Sequence, residues 1–133
     1  MKYLYAFIFL CSFIVIPVAQ ATPATDALMH KYKSEGAGNF DAELGKKDWF
    51  REVKSDDGEK QSCISCHTSD LSKTGKHQKT QKIIQPMFAS FNAERYTDEN
   101  KIEKWFKRNC KDVWGRECTA QEKGNILKYL LSH

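Results

Sequence analysis

Residues 63–67 read Cys63-Ile64-Ser65-Cys66-His67. Two cysteines three positions apart, followed at once by histidine, form the attachment motif for c-type haem. Two thiols about one helical turn apart each reach a vinyl group along one haem edge and form a thioether. The next side chain, His67, then turns beneath the ring and offers an imidazole nitrogen to iron. Two rival readings fit less well. A thioredoxin-like pair sits in a βαβ pattern, and no alternating apolar strands precede Cys63. A structural zinc site needs two further ligands at short paired spacing, whereas Cys110 and Cys118 stand eight positions apart with no histidine between them.

Upstream of the motif, residues 1–21 read as a secretory signal peptide. Lys2 gives a positive start, Tyr3 to Val18 is almost unbroken apolar sequence, Pro17 breaks the run, and Ala19-Gln20-Ala21 is a small-x-small cleavage site. The apolar run is short for a membrane span, which sets the signal-peptide reading ahead of a retained anchor helix. Cys11 follows Leu10 where a lipid-attachment site calls for a small residue. Export to the periplasm, a cleaved leader over 1–21 and one domain over 22–133 are therefore expected. The whole chain has 133 residues and a net charge of +4. That excess is too mild and too scattered to indicate nucleic-acid binding.

Removal of the leader takes Cys11 with it and leaves Cys63, Cys66, Cys110 and Cys118. With the first two assigned to haem, Cys110 and Cys118 are expected to form a disulfide in an oxidising compartment. Such a loop stabilises by about 2.5 kcal/mol on the chain-entropy estimate. Two free thiols or a redox-active pair are the alternatives.

The occupant of the sixth iron position decides the function. An electron carrier ties up both axial positions, often with methionine, while a gas-binding haem keeps one open or weakly held. Residue type alone ranks Met87, twenty residues past His67, first and an open site second. His77 lies in a lysine-rich stretch, and His30 and His133 near the ends read as surface residues.

From Ser62 onward the chain resembles the sphaeroides haem protein (SHP) family of exported monohaem cytochromes c. The matching residues are Cys63-Ile-Ser-Cys-His67-Thr68, Gly75-Lys76-His77, Ile84-Gln85-Pro86-Met87 and Asn92-Ala-Glu-Arg95-Tyr96-Thr97-Asp98. They continue with Glu103-Lys-Trp-Phe106, Arg108-Asn-Cys110, Gly115-Arg-Glu-Cys118-Thr119 and Glu122-Lys123. The resemblance implies that Asn92 ligates oxidised iron, that Met87 is a core residue packed on the haem, and that Cys110 and Cys118 are bonded. Ala89 and Ala93 stand where the family pattern carries prolines. An amide oxygen is a weak, hard donor, tolerable for ferric iron and poor for the softer ferrous ion. Reduction would then release Asn92 and open the iron to O2 or NO, with Phe88 and Phe91 as an apolar distal wall. The resemblance also implies an exported dihaem cytochrome c as electron donor, or another acidic redox partner, with a membrane cytochrome b upstream. A simple electron carrier with permanent His67/Met87 ligation and a non-enzymatic gas sensor are the competing functions. No acid–base group is assignable to a place over the iron, so the sequence assigns no turnover, and no pattern specifies an oligomeric state.

The expected architecture is all-α, a class I cytochrome c-like fold around one covalent haem. Thr25 is expected to cap a helix bearing Leu28, Met29 and Tyr32 and closed by Gly36. A second helix is expected from about Asp41 to Val53, and a third from Thr97 with Ile102, Trp105, Phe106 and Cys110 as its apolar stripe. Thr119-Ala-Gln-Glu122 is a capping box opening a last helix with Ile126, Leu127, Leu130 and Leu131. Gly45 or Gly124 is expected to allow a close crossing of the helix before the haem motif with the last helix. From Leu71 to Ala93 there is no acidic residue, while Lys73, Lys76, Lys79 and Lys82 recur every three positions. Such a patch beside a haem edge would steer an acidic partner.

Overall fold

The computed structural model describes residues 21–133 apart from Asp56. The leader expected over 1–21, with Cys11, lies outside the described residues except for Ala21. Five α-helices follow in the described chain: α1 (Pro23–Ser34), α2 (Ala42–Phe50), α3 (Ile64–His67), α4 (Glu99–Trp114) and α5 (Ala120–Leu131). A 3-10 turn at Ala93–Tyr96 precedes α4. Two small antiparallel ladders also form. Strand β1 (Val53–Lys54) pairs with β2 (Lys60–Gln61), and β3 (Gly75–Lys76) with β4 (Ile83–Ile84). The sequence reading contained no strands, because ladders of two residues carry no alternation to detect.

Helix α1 begins three residues before the expected start. Thr22 is the N-cap and Pro23 the first helical residue, while Thr25 is the third-position partner of a reciprocal capping box. Helix α2 is capped by Asp41, whose carboxylate accepts from the Glu43 and Leu44 amides, and it stops at Phe50. Val53 belongs to β1 instead. Helix α4 starts after Asp98, whose carboxylate accepts from Lys101 N–H; Thr97 lies outside it. Helix α5 has the expected Thr119–Glu122 capping box.

The core is closed by α5 crossing α2. Leu127 and Leu130 of α5 are buried together with Leu28 and Tyr32 of α1 and Trp49 of α2. Full burial of each such side chain contributes about 1.5–3 kcal/mol. The crossing needs Gly45: a Cβ there would run into the Asn125 carbonyl and lie 2.8 Å from the Ile126 nitrogen. Gly124 has a different job, since its bare Cα seats the Phe40 ring. Asn125 locks the crossing, its buried Oδ1 accepting from Asp41 N–H at 2.9 Å and Gln121 Nε2 at 3.0 Å.

Helix α4 buries Ile102, Cys110 and Trp114. Trp105, expected in its apolar stripe, is 42% exposed at the stripe's margin, with the Arg108 guanidinium 5.2 Å from its ring. Cys110 and Cys118 are disulfide-bonded with Cα atoms 5.6 Å apart, tying the end of α4 to the start of α5. Inside this loop Trp114 is stacked under Arg51 at 3.9 Å. Arg51 in turn reaches Glu122 at 3.0 Å, so the disulfide loop is fastened to both α2 and α5.

Candidate haem site

After β2 the chain turns into the single helical turn α3. The Ser62 N–H donates to Ser65 Oγ at 3.1 Å, and the amides of Cys66 and His67 both donate to the Cys63 carbonyl. This turn places the Cys63 and Cys66 thiols one helical turn apart. Both are unbonded and half-buried. Burial pushes the Cys63 thiol up to about 12, so it is a neutral thiol. A redox nucleophile or a zinc ligand depends on the thiolate, and among the described residues no three His, Cys, Asp or Glu side chains converge as a metal cluster. The sulfur of a thioether, which carries no charge, fits this buried environment better.

His67 ends the turn, and Thr68 then takes a left-handed conformation at φ 65° that swings the chain away. The His67 ring lies 5.2 Å from Trp49, a core residue of α2. Burial, reinforced by the nearby Arg95 and His77, brings its imidazole down to about 4. It is therefore neutral at physiological pH, the form that binds a metal. Its Nδ1 is buried without a hydrogen-bond partner among the described residues. Gly75 of β3 packs directly on this turn. A Cβ there would collide with the Cys66 carbonyl and stand 2.9 Å from the His67 Cα. Two adjacent thiols, a neutral buried imidazole and a β-hairpin laid against them fit a covalently attached haem.

The segment 85–96 carries the other candidate ligands, and backbone bonds draw it toward the motif. Met87 and Phe88 N–H both donate to the Leu71 carbonyl, four residues beyond His67. Ala89 and Ser90 N–H donate to the Leu130 and His133 carbonyls, pinning the segment to the end of α5. Met87 is buried in the core, and its carbonyl accepts from the buried Tyr96 hydroxyl. Asn92 is half-buried. Its Nδ2 donates to the Pro86 carbonyl at 3.3 Å, and its Oδ1 accepts no hydrogen bond among the described residues.

Other expectations divide. Phe88 packs edge-on against Tyr129 and lies 4.4 Å from the His133 ring, whereas Phe91 is 61% exposed. The expected wall of both rings is therefore corrected: Phe91 faces solvent, while Phe88 packs on the end of α5. His133, read as a surface residue, is exposed, with its ring tilted against Phe88. His77 is half-buried, with Nδ1 accepting from Thr80 N–H. Sequence reasoning gave Trp49 and Arg95 no part in the site. The one signal for Arg95 is its position three residues after Asn92, where a 3-10 turn returns the side chain to the same segment.

Lys76 lies on β3, Lys73 before it, and Lys79 and Lys82 in the connection to β4. All four are exposed, and Ile83 beside them is 62% exposed. Through Gly75 this cationic hairpin rests on the haem-attachment turn.

Residues 35–130 match the family described as a domain of unknown function, DUF1924. Cytochrome c'' of Methylophilus methylotrophus is 38% identical over 88 residues, 66% of this chain and 61% of that protein, so the match spans about three fifths of that relative. The cytochrome c-type protein SHP of Cereibacter sphaeroides is 31% identical over 124 residues, covering 93% of this chain and 95% of SHP. Among solved structures, oxidised SHP, an oxygen-binding cytochrome c, superposes with a TM-score of 0.74 at 32% identity over 82% of this chain and 96% of that one. Oxidised cytochrome c'' gives 0.71 at 32% identity, covering 83% of this chain and 94% of its own. The solution structure of cytochrome c'', described as giving insights into the structural basis of haem-ligand detachment, gives 0.70 at 32% identity, covering 82% and 93% of the two chains.

Proposed function

This chain belongs to the family of cytochrome c'' and SHP, c-type cytochromes with one covalently bound haem c, and on that premise we propose that it is an exported, redox-gated ligand-binding cytochrome. Cys63 and Cys66 form the two thioethers and His67 is the proximal ligand. Asn92 offers its amide oxygen to the oxidised iron and withdraws on reduction. The bound haem supplies one-electron exchange and, with its sixth position open, affinity for a diatomic gas such as O2 or NO.

The observation that carries this reading is the Asn92 amide. Its nitrogen side is fixed by Pro86, while its oxygen accepts no hydrogen bond among the described residues. A neutral amide oxygen suits ferric rather than ferrous iron, which makes its release follow reduction. The descriptions of SHP as oxygen-binding and of cytochrome c'' as a protein whose haem ligand detaches support the same behaviour here. Met87 is assigned to the core, where burial and the Tyr96 hydroxyl on its carbonyl hold it. Substitution separates the two candidates. Asn92→Leu is expected to change the oxidised visible spectrum, and Met87→Leu to leave its ligand-dependent bands in place. The opposite pattern makes Met87 the ligand and the protein a plain electron carrier.

The lysine hairpin is the face we assign to an acidic electron donor, with a dihaem cytochrome c as the candidate. Exposed cations over a haem edge raise the encounter rate with a negative partner, and Ile83 gives the patch an apolar centre. Export to the periplasm, with cleavage after Ala21, completes the reading.

A further inference from the structure

Arg95 is half-buried, yet no carboxylate lies within ion-pair distance of it among the described residues. The other three arginines are accounted for. Arg51 and Arg116 pair with Glu122, and Arg108 lies exposed beside Trp105. Arg95 spends its donors on main chain instead. Its Nη2 donates to the Gln85 carbonyl at 2.9 Å and its Nε to the Pro86 carbonyl at 3.2 Å. The planar fork thus spans two successive carbonyls of the segment that bears Asn92, which a single-point ammonium cannot do.

The same Pro86 carbonyl also accepts from Asn92 Nδ2 at 3.3 Å. The circuit closes through the main chain, because Arg95 N–H donates to the Asn92 carbonyl at 3.2 Å. Asn92 and Arg95 are therefore joined twice, once along the 3-10 turn and once through the two lone pairs of one carbonyl. With alanines at 89 and 93, nothing in the local sequence stiffens this segment at those two positions. The guanidinium instead ties the end of the segment, at Arg95, back to its start at Gln85 and Pro86.

We propose that Arg95 is the positioning residue of the distal ligand: its fork on Gln85 and Pro86 holds the carbonyl that orients the Asn92 amide, and so sets how firmly Asn92 holds the oxidised iron. The inference rests on the assignment of Asn92 as that ligand. Hydrogen bonds from a charged donor hold a carbonyl more firmly than those between neutral groups. Loss of the fork weakens the ligand without touching the iron, while in the unaltered protein Arg95 Nε keeps the Pro86 carbonyl satisfied when reduction sets the Asn92 amide free to reorient.

The test is imidazole titration of the ferric holoprotein, since imidazole must displace Asn92 to bind. Arg95→Lys keeps the charge and loses the fork, and Arg95→Gln keeps one planar donor group, giving a second reading independent of the first. Each is measured with Asn92 intact and in an Asn92→Ala background. With Asn92 intact, both variants are expected to bind imidazole about tenfold more tightly than the unaltered protein. In the Asn92→Ala background the same changes are expected to shift affinity less than twofold, the non-additivity of coupled residues. A merely structural role moves both backgrounds alike. Tighter binding by Asn92→Ala with unaltered affinity in the Arg95 variants overturns the inference, as does an Arg95 effect of equal size in both backgrounds. If Asn92→Ala itself binds imidazole no more tightly, the ligand assignment falls, and the inference with it.

Discussion

At the scale of single residues, the site is built from side chains whose chemistry is set by what surrounds them. Burial keeps the Cys63 sulfur uncharged and the His67 imidazole neutral, a setting that suits a thioether, which carries no charge, and leaves a nitrogen lone pair free. Gly75 matters for a different reason, because the β3 backbone touches the carbonyl of Cys66 and the Cα of His67. Gly75→Ala therefore forces the hairpin off the attachment turn. Overpacking of this kind costs about 1–3 kcal/mol, and the expected outcome is a lower yield of haem-loaded protein with a depressed melting temperature. Full yield and an unchanged melting temperature would show that the hairpin is not held against the motif. This contact was not legible in the sequence, where Gly75 is one glycine in a lysine-rich stretch. The attachment motif was, because covalent chemistry fixes its spacing in the chain itself. Arg95 escaped notice for the opposite reason: its partners are two backbone carbonyls, and carbonyls leave no trace in residue type.

At the scale of elements, α5 holds the molecule together, and its first turn concentrates the ionic contacts. Glu122 accepts from Arg116 at 2.7 and 2.8 Å, from the Thr119 amide at 2.9 Å and from Arg51 at 3.0 Å. Hydrogen bonds from Arg116 foremost, then from Thr119 and Arg51, hold its carboxyl down to about 2 against the opposing effect of burial. A carboxyl depressed in the folded state adds stability that is fully present above its unfolded value near 4.5 and is lost as pH falls toward 2. Melting temperature should therefore decline through that window, and Glu122→Gln should flatten the decline. An equally steep decline in the variant would place the acid lability elsewhere. Thr119→Ala removes the side-chain half of the cap and is expected to cost about 1 kcal/mol. The α5 cap was legible because threonine and glutamate stand at the required spacing. The α1 start was displaced because Thr22 and Thr25 are both capping residues, and the signal that separates them, Pro23 at the first helical position, was passed over. The exposure of Trp105 shows the limit of periodicity, which marks the flank of a stripe as strongly as its centre.

At the scale of the whole molecule, charge is segregated. The β3–β4 hairpin and its flanks carry Lys73, Lys76, Lys79 and Lys82 without a carboxylate between Leu71 and Ala93, and Gly75 joins this surface to the attachment turn. Reversing Lys76 and Lys79 to glutamate is expected to slow reduction by an acidic donor about tenfold or more at low ionic strength and to flatten its salt dependence. Stopped-flow reduction across a salt series reads both, and an unchanged rate removes the hairpin as the docking face. The fold brings His67, the 85–96 segment and the cationic hairpin to one region through the Leu71 carbonyl and the Gly75 contact, neither of which has a sequence signature. Helical content and the Cys110–Cys118 pairing could be anticipated from the chain. The convergence required the structure.

The most direct test of redox-gated ligation is the visible spectrum of the purified holoprotein, taken oxidised, then reduced under argon, then exposed to carbon monoxide. The account predicts a six-coordinate oxidised form, a high-spin reduced form, and a sharp shift as the gas binds. A split low-spin reduced spectrum that ignores the gas would mean a permanent sixth ligand, with Met87 first in line, and would contradict release of Asn92.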